Sequence, residues 1–199
     1  MRMSIMDYGV GNLHSIAKGI EKADATVEVV SDPADLIDSE CIVFPGVGAF
    51  GAAMEALRPV MPRLRRKIEG GTPTLGICLG MQILFERSEE SPGSGLSVIK
   101  GSVKRLISGR VPHMGWNDVI SGEDPVFRGT PKTSQYYFAN SYVCHPAEDV
   151  GRAYTDYGER FPSVVRKGSI YGLQFHPEKS GPAGLTLLKN FVTFAEGYR

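Results

Sequence analysis

Gly76-Ile77-Cys78-Leu79-Gly80 stands between an apolar run, TPTLGI, and a stretch, LGMQILFERSEE, that reads as an amphipathic helix. A cysteine with a glycine two residues to either side fits few local structures. The glycines permit a sharp strand-to-helix turn whose central residue takes a strained backbone conformation and presents its side chain above a sheet. Such a turn demands a strand before it and a helix after it. The chain is thereby steered toward an α/β fold.

Residues 3 to 7 and 26 to 30 read as short strands flanking NLHSIAKGIEKA, where Leu13, Ile16, Ala17 and Ile20 recur at helical spacing. CIVF, residues 41 to 44, gives a third strand, and residues 50 to 68 give helical material interrupted by Pro59 and Pro62. These units predict a mainly parallel sheet flanked by helices. From about residue 96 the segments SVIKGSVKRL, PHMGWNDVI, YYFANSYVCH and SVVRKGSIYGLQF predict a strand-rich C-terminal half, closed by a helix over roughly 183 to 197. Without repeats or linkers, residues 1–199 read as a single domain.

Charge excludes some partners. With 22 basic and 22 acidic residues and no single-sign block, the sequence offers no electrostatic ground for nucleic acid or an anionic membrane. The N-terminus, MRMSIMDYGV, turns acidic too early for a signal peptide, and no apolar run approaches the roughly 18 residues of a spanning helix, so a cytoplasmic protein is expected. Three separated cysteines with no C-x-x-C predict neither a disulfide framework nor a metal site.

The flanking glycines mark Cys78 as a nucleophile, and the dipole of the following helix favours its thiolate. Cys41 and Cys144 lack such flanks and read as structural. A cysteine nucleophile needs a base and a group that orients it. His14 falls within a helix, His145 at a strand end, and His113 reads as a surface or interface residue. His176 differs, because Glu178 follows it across Pro177. If the chain stays extended there, His176 and Glu178 project to the same side.

PGVGAFG, residues 45 to 51, contains the spacing G-x-G-x-x-G. A dinucleotide fold places that motif after its first strand, with an acidic residue ending the next one, and neither condition holds here. A plain tight turn is the second reading. The third is an oxyanion loop in which Val47, between Gly46 and Gly48, donates its N–H together with that of Leu79.

PGVGAF, GICLGMQ and FHPEKS together resemble the class I (triad) glutamine amidotransferases, and the resemblance spans almost the whole chain. DYGVGN, PHMGWN and YYFANSY are similar to the branch that forms glutaminase subunits of imidazole glycerol phosphate synthase. The resemblance implies a flavodoxin-like core and hydrolysis of L-glutamine to glutamate and ammonia through a thioester on Cys78. His176 would be the base and Glu178 its orienter. It implies no cofactor, and a heterodimer with a (β/α)8 barrel synthase subunit that consumes the ammonia. By the same resemblance Gly46, Gly48, Gln82, Tyr137 and Ser141 match substrate-binding positions, and Asn12, Met114, Trp116 and Lys179 match positions facing the partner. Asn140 departs from the family, which often has histidine there. A glutaminase subunit serving another synthase, such as the pyridoxal phosphate type, and a non-catalytic interaction protein of the same fold are the alternatives.

Overall fold

The computed structural model describes residues 1–9, 13–107 and 109–198. Its first half runs β1 (Arg2–Met6), α1 (Leu13–Glu21), β2 (Thr26–Val30), β3 (Cys41–Phe44), α2 (Phe50–Leu57), α3 (Met61–Glu69), β4 (Thr74–Ile77) and a one-turn helix α4 (Leu79–Gln82). Then follow β5 (Arg87–Ser88), β6 (Ser91–Ser94), β7 (Gly101–Arg105), β8 (His113–Ser121), β9 (Thr133–Asn140), β10 (Tyr142–Pro146), β11 (Gly151–Asp156), β12 (Arg160–Lys167), β13 (Ile170–Leu173) and α5 (Gly181–Glu196). Pro62 lies in the first turn of α3, where its missing N–H costs nothing.

Nine strands form one sheet in the order β2-β1-β3-β4-β13-β12-β11-β8-β9. The pairs from β2 to β13 are parallel, and those from β13 to β9 are antiparallel. β3, β4 and β13 are buried at every residue, as central parallel strands covered on both faces must be. On one face α1 and α5 pack Ile16, Ile20, Leu187 and Phe191 over Ile5, Val43, Ile77 and Leu173. On the other, Phe50, Leu57 and Leu64 of α2 and α3 cover Ile42 and Phe44. A smaller sheet, ordered β10-β7-β5-β6, adjoins that second face.

The helix expected over residues 79 to 90 ends after one turn. Ile83, Leu84 and Phe85 are all fully buried, which one helix face cannot achieve for three consecutive residues. Nor do the acidic residues line a solvated helix. Glu86 accepts from the Gly101 N–H, Glu89 from Arg105 and Glu90 from Phe50, so each satisfies a backbone donor of a neighbouring element.

Register brings three chain segments out at one edge. Phe44 pairs with Gly76, and Ile77 with Leu173. The loop at 45–49, Cys78 and the segment 174–176 therefore leave the carboxyl ends of adjacent parallel strands side by side, the usual place for a site in such a sheet.

Candidate active site

Cys78 has φ 48° and ψ −103°, a conformation strained for any residue with a Cβ. The flanking glycines make it possible. A Cβ on Gly76 would lie 2.4 Å from the Gly80 carbonyl oxygen, and one on Gly80 would lie 2.0 Å from that of Phe44. Both obstacles are backbone atoms. The turn thus packs too tightly against β3 for any other residue at these positions.

His176 follows β13 with an extended backbone, φ −99° and ψ 96°, as a residue before proline prefers. Its ring stands beside Cys78, both of them bordering the Gly46 Cα, and Nδ1 lies 2.8 Å from Glu178 Oε1. The route to that contact differs from the expected one. Pro177–Lys179 forms a 3-10 turn rather than extended chain, and the turn swings Glu178 back under the imidazole. Both side chains are buried, His176 at 4% and Glu178 at 3% exposure. Burial acts to lower the imidazole's proton affinity, but the thiol and the carboxylate outweigh it and push the ring up to about 10.

The helix dipole invoked from sequence is weak here. α4 has only four residues, too few aligned peptides for much of a macrodipole. Cys41 and Cys144 are fully buried, and burial raises both thiols well above their ordinary value. They sit in the core, not at the edge.

The glycine loop touches the pair directly. A Cβ on Gly46 would lie 2.8 Å from His176 Cε1 and 3.1 Å from the Cys78 Cβ, so only glycine lets the loop approach this closely. Gly48 has φ +108° and is exposed, and Val47 lies between them, half-buried. Leu79 opens α4, where a helical N–H has no partner within its own helix.

The remaining sequence candidates divide. Gln82 is buried and donates its amide to the Tyr142 carbonyl at 3.2 Å, and Asn140 donates to the same oxygen at 3.0 Å. The asparagine thus braces the β9–β10 corner that holds Ser141. Tyr137 is half-buried on β9, with the Lys179 Nζ 5.8 Å from its ring centroid and the Trp116 ring edge-on at 6.2 Å. Met114 and Trp116 point outward from β8 at 64% and 55% exposure. Asn12 falls outside the described residues.

His113 is no surface residue. It is 2% exposed and stacked between Tyr157 and Phe138, and burial lowers its imidazole to about 4. Its position on β8 explains this, because alternation turns it inward when Met114 and Trp116 turn outward.

Two residues of the site, one at the sulfur and one behind the base, escaped the sequence reading. Gln174 Nε2 lies 3.7 Å from Cys78 Sγ, and Ser180 donates to the His176 carbonyl at 2.6 Å while accepting from the Tyr137 N–H at 3.0 Å. Strand alternation gave no signal for Gln174, because β13 ends at Leu173 and the chain bends at residues 174 and 175.

Comparison with known proteins agrees with this geometry. Residues 4–194 match the family model described as glutamine amidotransferase class-I. An imidazole glycerol phosphate synthase subunit HisH from Methanocaldococcus jannaschii is 45% identical over 193 residues, covering 96% of this chain and 98% of that one. Its counterpart from Methanothermobacter thermautotrophicus is 47% identical over 192 residues, with 96% and 97% covered. A solved glutamine amidotransferase structure, 18% identical, superposes with a TM-score of 0.77 over 98% of each chain and supports the fold alone. With the family model spanning nearly every element and relatives this similar matching end to end, the chain belongs to the class-I glutamine amidotransferases, within their HisH family.

Proposed function

We propose that this chain is the glutaminase subunit of an imidazole glycerol phosphate synthase in histidine biosynthesis, with residues 1–199 acting as one amidotransferase domain. One observation carries the proposal: a strained, glycine-flanked Cys78 beside an imidazole that is itself held by a buried carboxylate.

Chemistry follows from the positions. The Cys78 thiolate attacks the side-chain amide carbon of L-glutamine, and the N–H groups of Leu79 and Val47 receive the charge that develops on oxygen. The His176 imidazolium gives its proton to the departing nitrogen, which leaves as ammonia. His176, now neutral and oriented by Glu178, takes a proton from water, whose oxygen attacks the thioester. Glutamate departs and the sulfur is regenerated. Gly46, Gly48, Gln82, Tyr137 and Ser141, which match substrate-binding positions of the family, are the residues assigned to hold the amino acid.

Ammonia released into neutral water becomes ammonium, which has no lone pair to react. A partner docked beside the site avoids that loss. Met114 and Trp116 form an exposed apolar pair, and Lys179, next in chain to Glu178, stands near them over Tyr137. Large apolar side chains exposed together mark a docking surface, and tryptophan is the commonest anchor. The fitting partner is the (β/α)8 barrel synthase subunit.

The test is glutamine hydrolysis by the purified chain, alone and with the synthase subunit and its nucleotide ligand. The isolated chain is expected to be slow. Completing the oxyanion hole on docking would raise turnover by about 10² to 10³, the weight of one donor. Trp116→Ala should weaken docking by about 2 kcal/mol or more. Equal turnover with and without the partner would overturn the coupling, and turnover surviving Cys78→Ala would overturn the chemistry.

A further inference from the structure

We propose that Gln174 is a fourth catalytic side chain, whose amide donates to the Cys78 sulfur and holds it as the thiolate. This rests on Cys78 being the nucleophile of the glutaminase reaction. Gln174 is fully buried, and its Nε2 lies 3.7 Å from Sγ. Its Oε1 has no hydrogen-bond partner among the described residues. An amide buried merely to fill space would cost stability that an apolar side chain of the same shape would not. Here its donor end meets the reacting atom.

The surroundings of the sulfur suit both of its protonation states. As a thiol it can donate to the Ala139 carbonyl oxygen, 3.8 Å away on β9. As a thiolate it needs donors, and the Gln174 amide is the hydrogen-bond donor to it among the described residues. The titratable neighbours are His176, with Glu178 behind it, and the Cys144 thiol of β10, which feels the sulfur's charge but is held protonated by burial.

The contact bears on both halves of the reaction. Thioester formation removes the charge from sulfur, so the amide has most to offer before attack and again when sulfur leaves as thiolate in hydrolysis. A better stabilised leaving thiolate departs faster. Gln174 therefore favours the start and the end of the cycle over the acyl-enzyme between them.

Alkylation of Cys78 by iodoacetamide, followed by mass spectrometry from acid to alkaline pH, reads the thiolate without any glutamine turnover. Failure of this proposal is thus distinguishable from failure of the glutaminase assignment. In Gln174→Met the side chain keeps its length and loses the donor. Below the wild-type midpoint alkylation should slow about tenfold, the midpoint itself moving up by about one unit, which is the same factor. Melting should stay at or above wild type, because the unpaired amide oxygen is gone. A purely structural role would lower melting and leave the alkylation profile in place. An unchanged profile in the folded Met variant overturns the proposal. Should that variant not fold, Gln174→Asn withdraws the donor by one methylene, and wild-type alkylation in it would overturn the proposal equally.

Discussion

His176 Nδ1 lies 2.8 Å from Glu178 Oε1 across a single 3-10 turn, and both groups are almost wholly shielded from water. Residues two apart in a strand would reach the same side only with their tips separated. The turn instead points the carboxylate at the ring. α1 and α5 then seal it: a Cβ on Gly19 would lie 3.5 Å from the Glu178 Cβ, and one on Gly184 would lie 2.0 Å from the Pro177 carbonyl oxygen. The orienting acid is fixed by α1, far from it in sequence, and by α5, which follows it at once.

That shielding has a signature in pH. The imidazole rises from 6.5 to about 10 in the folded state, against burial, through the thiol and Glu178. A group whose folded value exceeds its unfolded one stabilises fully below the unfolded value and stops doing so as pH passes the folded value. Glu178→Gln removes one of the two raising groups. Its loss of stability relative to wild type, from urea midpoints, should be greatest below about pH 6.5 and should narrow as pH climbs toward about 10. A difference that does not vary with pH would contradict the charge assignment.

Glycines around the thiol separate fold from chemistry. Gly80→Ala drives a Cβ into the Phe44 backbone at 2.0 Å, where nothing can yield without moving β3. It should cost about 3 kcal/mol or more and lower Tm by roughly 6–12 °C. Gly46→Ala meets a side chain instead, the His176 ring at 2.8 Å, which can turn aside. Its Tm should stay within a few degrees of wild type while glutaminase activity falls about 10²-fold, the order typical of a displaced catalytic group. Calorimetry and turnover on both variants decide this. Parallel losses in the two would mean the loop is only structural.

Much of this was legible along the chain because local rules and the tertiary structure agree. The G-x-C-x-G turn, the four apolar residues of β3 and the helical spacing of Leu13, Ile16 and Ile20 each need only their neighbours to be read. Residues 83 to 90 misled because their acidic side chains serve backbone donors of α2 and of both ends of β7, partners no local pattern reveals. His113 misled for a related reason. Its burial depends on Tyr157, which closes over it from the far end of β11. Gln174 was out of reach of alternation, because the chain bends at residues 174 and 175, and its role shows only in its distance to sulfur.

Ser180 joins the base to the docking strands through one residue. Its hydroxyl donates to the His176 carbonyl at 2.6 Å and accepts from the Tyr137 N–H at 3.0 Å, while the His176 N–H bonds the Tyr137 carbonyl at 2.8 Å. Tyr137 pairs in register with the exposed Trp116. A shift of β8 and β9 on docking would therefore reach the imidazole through the Tyr137 peptide. Ser180→Ala leaves that buried N–H without its partner, a loss of about 2 kcal/mol or some 4–8 °C in Tm. The base is displaced while the sulfur and the substrate contacts stay, so kcat should fall about tenfold with KM little changed. Because the link is severed, the gain in turnover on adding the synthase subunit should shrink as well. Steady-state kinetics with and without the partner measure both quantities. A variant that loses stability yet keeps its kcat and its full response to the partner would reduce Ser180 to a brace, and the path from docking face to base would have to run elsewhere.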